Sequence, residues 1–195
     1  MLLFLSKNIA SFFVKYGVAK EEDEELYIYG LQTILSSIFS LSLILIIAYI
    51  KRNMIETGFY LVCLVLMRSY TGGYHAKQYW SCCFMTLSFY LLNMYIGRTA
   101  ASYNLLFIYY LVSIFIILRF SPLENKNRPI REKDIPKFKI IIIGLCLVFS
   151  TAIAVLYLTG KNNYAVYIEL AGITTAGSLV IGYLDKSCLQ HLKYQ

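Results

Sequence analysis

Apolar residues run along this chain in long blocks, and polar residues separate the blocks more than they alternate within them. Residues 27–50 (YIYGLQTILSSIFSLSLILIIAYI) carry no charge over a stretch long enough to cross a bilayer as an α-helix. Further apolar stretches follow at 54–67, 82–97, 103–118, 140–158 and 163–184. The 54–67 stretch holds Glu56 and is short for a span, so it reads as a short tilted helix or a re-entrant segment. Ahead of all six, residues 1–19 set Leu2, Leu5, Ile9, Phe12, Phe13 and Tyr16 at helical spacing with Lys7 and Lys15 between them. That segment is too short and too charged to span, and it predicts an amphipathic helix lying in the membrane interface. The run Glu21-Glu22-Asp23-Glu24-Glu25 must be solvated, and its charge suits the N-terminus of the next helix; docking of a basic partner is the lesser reading. No internal repeat and no Gly/Pro/Ser-rich linker divides the chain, so 1–195 reads as a single integral-membrane domain. The fold expected is all-α, a polytopic membrane helical bundle of about six transmembrane segments behind an N-terminal interfacial helix.

Composition sharpens this. Of 195 residues 58% are hydrophobic and 15% charged, with a mean hydropathy of +0.61. A water-facing domain carries about 25% charged residues, so soluble, disordered, collagen-like and coiled-coil classes are excluded. Five cysteines, most in or beside apolar runs, read as buried thiols rather than a disulfide scaffold. The net charge of +7 raises nucleic acid as a partner, but the basic residues form no stripe interleaved with exposed aromatics. They sit between apolar runs, which points to the lipid bilayer as partner and no nucleic acid. The first residues lack a basic n-region before the apolar stretch, so no cleavable signal is expected. With six spans, 14 of the 18 Lys and Arg fall on the side of both termini, against Lys51, Arg52, Arg98 and Lys161 on the other. The positive-inside rule then puts both termini and the 121–139 loop in the cytoplasm.

Chemistry concentrates at one break. Arg68-Ser69-Tyr70-Thr71-Gly72-Gly73-Tyr74-His75-Ala76-Lys77 is a polar, Gly-rich interruption at the expected cytoplasmic boundary, and Cys82 and Cys83 open the next apolar run. A cysteine peptidase needs a thiolate nucleophile and an imidazole to take its proton. His75 is the candidate imidazole, seven residues before Cys82, since His191 reads as a solvated residue of the C-terminal tail. Gly72 and Gly73 let the backbone turn and offer N–H groups to an oxyanion. The competing reading, a His beside a basic loop in contact with lipid headgroups, stands on spacing alone. Metal chemistry has no HExxH or CxxC to support it, and a serine hydrolase has no GxSxG. Glu56 and Glu169 stand singly near the outer ends of their stretches and read as interfacial, against an acid intramembrane protease or a proton-coupled transporter.

The block R-x3-GG-x-H-A, followed by Cys82 seven positions after His75, resembles the accessory gene regulator protein B (AgrB) family of bacterial membrane cysteine endopeptidases. A second block, Ser121-Pro122-Leu123-Glu124-Asn125-Lys126-Asn127-Arg128-Pro129-Ile130, is similar to the family's A-P-x-E-N-K-x-K/R-P loop, with Ser in place of Ala. Tyr29-Gly30-Leu31 is a weaker third echo. The resemblance implies His75 as general base and Cys82 as nucleophile, cleaving an AgrD-like precursor peptide and supporting thiolactone closure in quorum sensing. It implies no cofactor and no metal, a homodimer, a multi-pass position in the bacterial cell membrane and a cytoplasmic active site. Cys83 then reads as a core residue. The third group orienting His75 is unnamed, with Gln78 or a backbone carbonyl as candidates. Arg68, Gly72, Gly73 and Lys77, with Lys126, Arg128 and Arg131 of the basic loop, are the expected substrate-binding set. The alternative from another class is a small non-catalytic transporter or signalling scaffold.

Geometry adds one expectation. Residues seven apart on an unbroken helix face the same way but stand about 10.5 Å apart along the axis, whereas a base must come within about 3 Å of its thiol. A His75–Cys82 pair therefore requires that 75–82 not be one straight helix.

Overall fold

The structure is a computed structural model that describes residues 2–17, 20–72, 79–99, 103–123 and 132–191, with the backbone alone at some of these, 79–82 and 185–191 included. Among the described residues it is all-helical: α1 (Leu2–Lys15), α2 (Glu24–Ile50), α3 (Met54–Thr71), α4 (Tyr79–Thr99), α5 (Tyr103–Phe120), α6 (Ile135–Leu158) and α7 (Asn162–His191). Short 3-10 turns at Glu21–Asp23 and Glu132–Asp134 lead into α2 and α6. Among the described residues three helices are long and apolar enough to cross a membrane, over Gly30–Ile50, Ile135–Leu158 and Asn162–Leu184, with shorter apolar helices at Cys83–Ile96 and Leu105–Phe120. The helices overrun the apolar blocks at their ends because a helix keeps its backbone hydrogen bonds internal whether lipid or water surrounds it. The 54–67 stretch lies inside α3, an 18-residue helix that continues to Thr71. A re-entrant hairpin needs a break within that stretch, and α3 has none.

By compactness the chain divides into two units, Met1–Lys51 with Ala76–Tyr90 and Arg52–His75 with Leu91–Gln195. In the first, α1 packs on α2 through its Ser6–Ala10 edge, both residues fully buried, and exposes Phe4, Phe12 and Tyr16 on the other side. Ser11 Oγ donates to Glu24 Oε1 at 2.9 Å and the Phe13 and Tyr27 rings meet edge to face. Glu24 and Glu25 occupy the first turn of α2, where the helix dipole favours negative charge. Along α2 the buried positions Gln32, Ser36, Ser40, Ile44 and Ala48 recur every four residues, and Ile38, Leu45 and Ile46 are exposed apolar surface suited to lipid.

In the second unit α7 is the central helix, packed against α3, α5 and α6. Every residue from 165 to 172 is buried. Small residues allow this: Ala165, Ala171, Gly172, Ala176 and Ser178 bring neighbouring backbones close, the usual basis of helix association in lipid. At Gly172 an added Cβ would stand 2.8 Å from the Tyr110 ring of α5. The Tyr110 hydroxyl in turn meets Ser150 Oγ of α6 at 3.2 Å. Ring pairs Phe59–Tyr164, Tyr70–Phe138 and Phe120–Tyr183 close the contacts between helices.

Candidate functional site

The helix that carries Arg68 ends at a glycine. Gly72 caps α3 with φ 74° and ψ −150°, a backbone region that residues with a side chain rarely enter. Its N–H donates to the Arg68 carbonyl at 3.2 Å, closing the last turn, and Thr71 Oγ1 donates to the Gly72 carbonyl at 3.1 Å. The Thr71 carbonyl accepts the Leu123 N–H at 2.9 Å. Leu123 follows α5 through Ser121, whose N–H bonds the Ile117 carbonyl at 3.0 Å, and a cis Ser121–Pro122 peptide. A Cβ at Gly72 would lie 2.5 Å from the Leu123 carbonyl oxygen. The two sequence blocks singled out above, one ahead of His75 and one ahead of Lys126, thus meet backbone to backbone at Thr71, Gly72 and Leu123.

Cys82 is the fourth residue of α4, within its first turn. There the unpaired N–H groups and the helix dipole favour an anion. Its neighbour Cys83 is 6% exposed and free, as are the buried Cys63 and Cys146. Of the other expected site residues, Arg68 is half-buried in the last turn of α3. His75, Gly73, Lys77, Lys126, Arg128 and Arg131 lie outside the described residues, as does Gln78. The expected folding back of His75 toward Cys82 lies there too. What is described is that α3 ends at Thr71 and α4 spans Tyr79–Thr99.

Glu169 corrects the sequence reading. Expected at the interface, it lies two turns inside α7 and is fully buried, 0% exposed. Tyr157 of α6 donates its hydroxyl to Glu169 Oε1 at 2.9 Å, and Glu169 Oε2 has no hydrogen-bond partner among the described residues. Distance from a helix end says nothing about which face a residue occupies, and Glu169 is on the packed face. Glu56, by contrast, is half-exposed in the first turn of α3.

A second polar cluster escaped the sequence reading entirely. Asn93 of α4 donates through Nδ2 to Thr174 Oγ1 at 2.6 Å and to the Tyr60 hydroxyl of α3 at 3.3 Å, and all three residues are buried. Thr174 Oγ1 donates its own hydrogen bond to the Leu170 carbonyl at 2.8 Å, so the network is donor-matched. The signal available in sequence was a lone amide within the apolar 82–97 stretch. At the N-terminal end of α3, the Asn53 amide donates to the Tyr167 hydroxyl at 3.3 Å.

Comparison with known proteins follows the geometry. The accessory gene regulator B family matches residues 6–181. The chain is 25% identical over 136 residues to an AgrB-like protein of Clostridium beijerinckii, covering 68% of each. It is 26% identical over 139 residues to accessory gene regulator protein B of Staphylococcus intermedius, covering 71% of this chain and 73% of that one. It is 26% identical over 158 residues to FsrB of Enterococcus faecalis, covering 78% of this chain and 62% of that protein. No solved structure matches it. An all-helical chain with membrane-length apolar helices, matched from residue 6 to residue 181, belongs to the accessory gene regulator B family.

Proposed function

We propose that this protein is a membrane cysteine endopeptidase that removes the C-terminal segment of an AgrD-like precursor peptide and supports closure of its thiolactone ring. The family match over residues 6–181 carries the reading. In this scheme His75 takes the proton of the Cys82 thiol and the thiolate attacks the scissile carbonyl carbon. Collapse of the tetrahedral intermediate breaks the C–N bond, His75 returns the proton to the leaving amine, and the precursor remains on Cys82 as a thioester. A cysteine thiol within the precursor then gives its proton to His75, attacks that carbonyl, releases the Cys82 thiolate and becomes the sulfur of the ring. One thioester replaces another, so ring closure requires no nucleotide. Water is the competing nucleophile, and a site at the membrane face excludes it.

Two features support these roles. Cys82 stands in the first turn of α4, where an anion is stabilised, while Cys83 is buried as a core residue. The basic residues Lys126, Arg128 and Arg131, with Lys77 and Arg68, suit an acidic peptide tail, a contact that weakens with salt. Gly73 supplies an N–H for the oxyanion. The protein acts as a homodimer, with both termini and the active site on the cytoplasmic face. A small transporter is the second reading, and the buried Glu169 is the observation in its favour. Co-expression with a short, cysteine-containing, acid-tailed AgrD-like peptide, followed by mass spectrometry of the products, tests the proposal. A cleaved and cyclised peptide that disappears with Cys82→Ala supports it, and an intact precursor refutes it.

A further inference from the structure

We propose that Asn93, Tyr60 and Thr174 form a register lock that fixes where α3 stands along α7. The inference goes beyond the peptidase reading and does not depend on it. Beside the buried Cys63, the interior residues of α3 and its cap fall at Asn53, Thr57, Tyr60, Leu64, Met67 and Thr71, with spacings that alternate between four and three. On α7, which is buried on several sides, the same alternation joins Tyr167, Ala171, Thr174 and Ser178. A repeat of seven of this kind is the pattern of a coiled-coil seam. Two side-chain contacts give its phase. Asn53 donates to the Tyr167 hydroxyl and the Tyr60 hydroxyl meets Thr174 Oγ1, both at 3.3 Å and both between residues 114 apart. A constant offset means that α3 and α7 run in the same direction, heptad against heptad. The same offset sets Leu64 level with Ser178 and Met67 level with Ile181.

Apolar contacts alone do not hold such a seam in place. Lipid is as apolar as Leu64 or Met67, so a shift of α3 by one heptad exchanges one apolar contact for another. The polar rungs do distinguish the registers. Asn93 of α4 donates both to Thr174 Oγ1, at 2.6 Å, and to the Tyr60 hydroxyl, at 3.3 Å, which it can do only when Tyr60 and Thr174 stand level. One heptad either way sets Tyr60 against Tyr167 or Ile181 and carries it about 10.5 Å along the axis from Thr174. The buried amide is then left with one of its acceptors gone, and a buried donor without a partner costs more than the bond itself contributes. A single polar residue at a seam fixes the register of coiled coils in the same way. Asn53 and Tyr167 form a second rung one heptad toward the start of α3. The lock thereby sets the height of the last turn of α3, which carries Arg68 and the Thr71 carbonyl that receives the Leu123 N–H.

Disulfide trapping reads register separately from stability. In a cysteine-free full chain in phosphatidylglycerol nanodiscs, Leu64→Cys is paired either with Ser178→Cys, level with it in the observed register, or with Ala171→Cys, level with it one heptad away. Oxidation with copper phenanthroline and mass spectrometry give the yield of each crosslink, and the 64/178 crosslink should dominate while the lock is intact. Adding Asn93→Leu and Thr174→Val should raise the ratio of the 64/171 to the 64/178 crosslink by about tenfold, the change in population that two interhelical hydrogen bonds of average strength support. Ile153→Ala is the control: it opens a cavity at a fully buried residue of α6 outside the seam, loosens the bundle and should keep the ratio of the intact chain. An unchanged ratio in the Asn93→Leu, Thr174→Val chain overturns the lock. A ratio raised equally by Ile153→Ala also overturns it, because loosening alone would then account for the shift. If the double variant does not accumulate, Tyr60→Phe, which deletes one hydroxyl and little volume, takes its place: a raised ratio supports the lock and an unchanged one overturns it.

Discussion

Asn93 on α4 and Thr174 on α7 are joined by a 2.6 Å hydrogen bond between residues 81 apart in sequence, buried in the helical bundle. The same amide nitrogen reaches Tyr60 on α3, so three helices share one polar node. Hydrogen bonds between membrane helices are worth about 0.6 kcal/mol on average and up to ~1.7 kcal/mol. Asn93→Ala removes two of them and should lower stability by about 1–3 kcal/mol. The check is thermal unfolding in detergent with a double-mutant cycle against Thr174→Val. Strict additivity of the two substitutions would show that the pair is not coupled.

Gly172→Ala should destabilise the fold even though alanine is the better helix former. Its Cβ would stand 2.8 and 2.9 Å from Tyr110 ring atoms, and Tyr110 is itself held by Ser150. Overpacking of this kind costs about 1–3 kcal/mol. Gly144→Ala on α6 is the control, since nothing lies within 4 Å of its new Cβ. It should be neutral or stabilising by up to ~1 kcal/mol. Unfolding midpoints of the two variants should move in opposite directions or differ clearly.

Glu169→Gln keeps an acceptor for the Tyr157 hydroxyl and should cost little stability. Glu169→Leu removes that acceptor from a part-buried bond and should cost about 1–3 kcal/mol. Under the peptidase reading, Glu169→Gln still cleaves the precursor at close to the wild-type rate in membranes. Loss of cleavage with intact folding would show that the Glu169 carboxyl group is needed for cleavage itself.

Cys82→Ala should abolish precursor cleavage, while Cys83→Ala, Cys63→Ala, Cys146→Ala and Cys188→Ala leave it largely intact. Cys63, Cys83 and Cys146 are buried, so they should also resist alkylation in the folded protein. Cleavage retained in Cys82→Ala and lost in Cys83→Ala would reassign the nucleophile.

Sidedness is checked with single-cysteine probes and a membrane-impermeant maleimide. Probes at 123–137 should label only from the cytoplasmic face, and probes at 51–53 and 160–162 only from outside. The charge asymmetry expected of a six-span chain, which assigns only Lys51, Arg52, Arg98 and Lys161 to the outer side, motivates this. External labelling of the 121–139 loop would overturn the six-span topology.

The class of protein and its helices were legible in sequence because the bilayer imposes length and apolarity on anything that crosses it. The stretches at 27–50, 103–118, 140–158 and 163–184 lie within α2, α5, α6 and α7, and the family resemblance was carried by local motifs around Gly72, His75 and Cys82. The packing was not legible. In water an amphipathic pattern marks the buried face of a helix, but lipid is as apolar as a protein core, so an apolar membrane helix does not announce which face meets its neighbours. Only the tertiary structure made α7 the central helix, turned Glu169 inward to Tyr157, joined Asn93 to Thr174 and set Leu123 against Gly72. Each of these pairs is remote in sequence or a matter of helix rotation. Such relations arise when particular small and polar side chains fit together, and the run of hydrophobicity along the chain does not contain them.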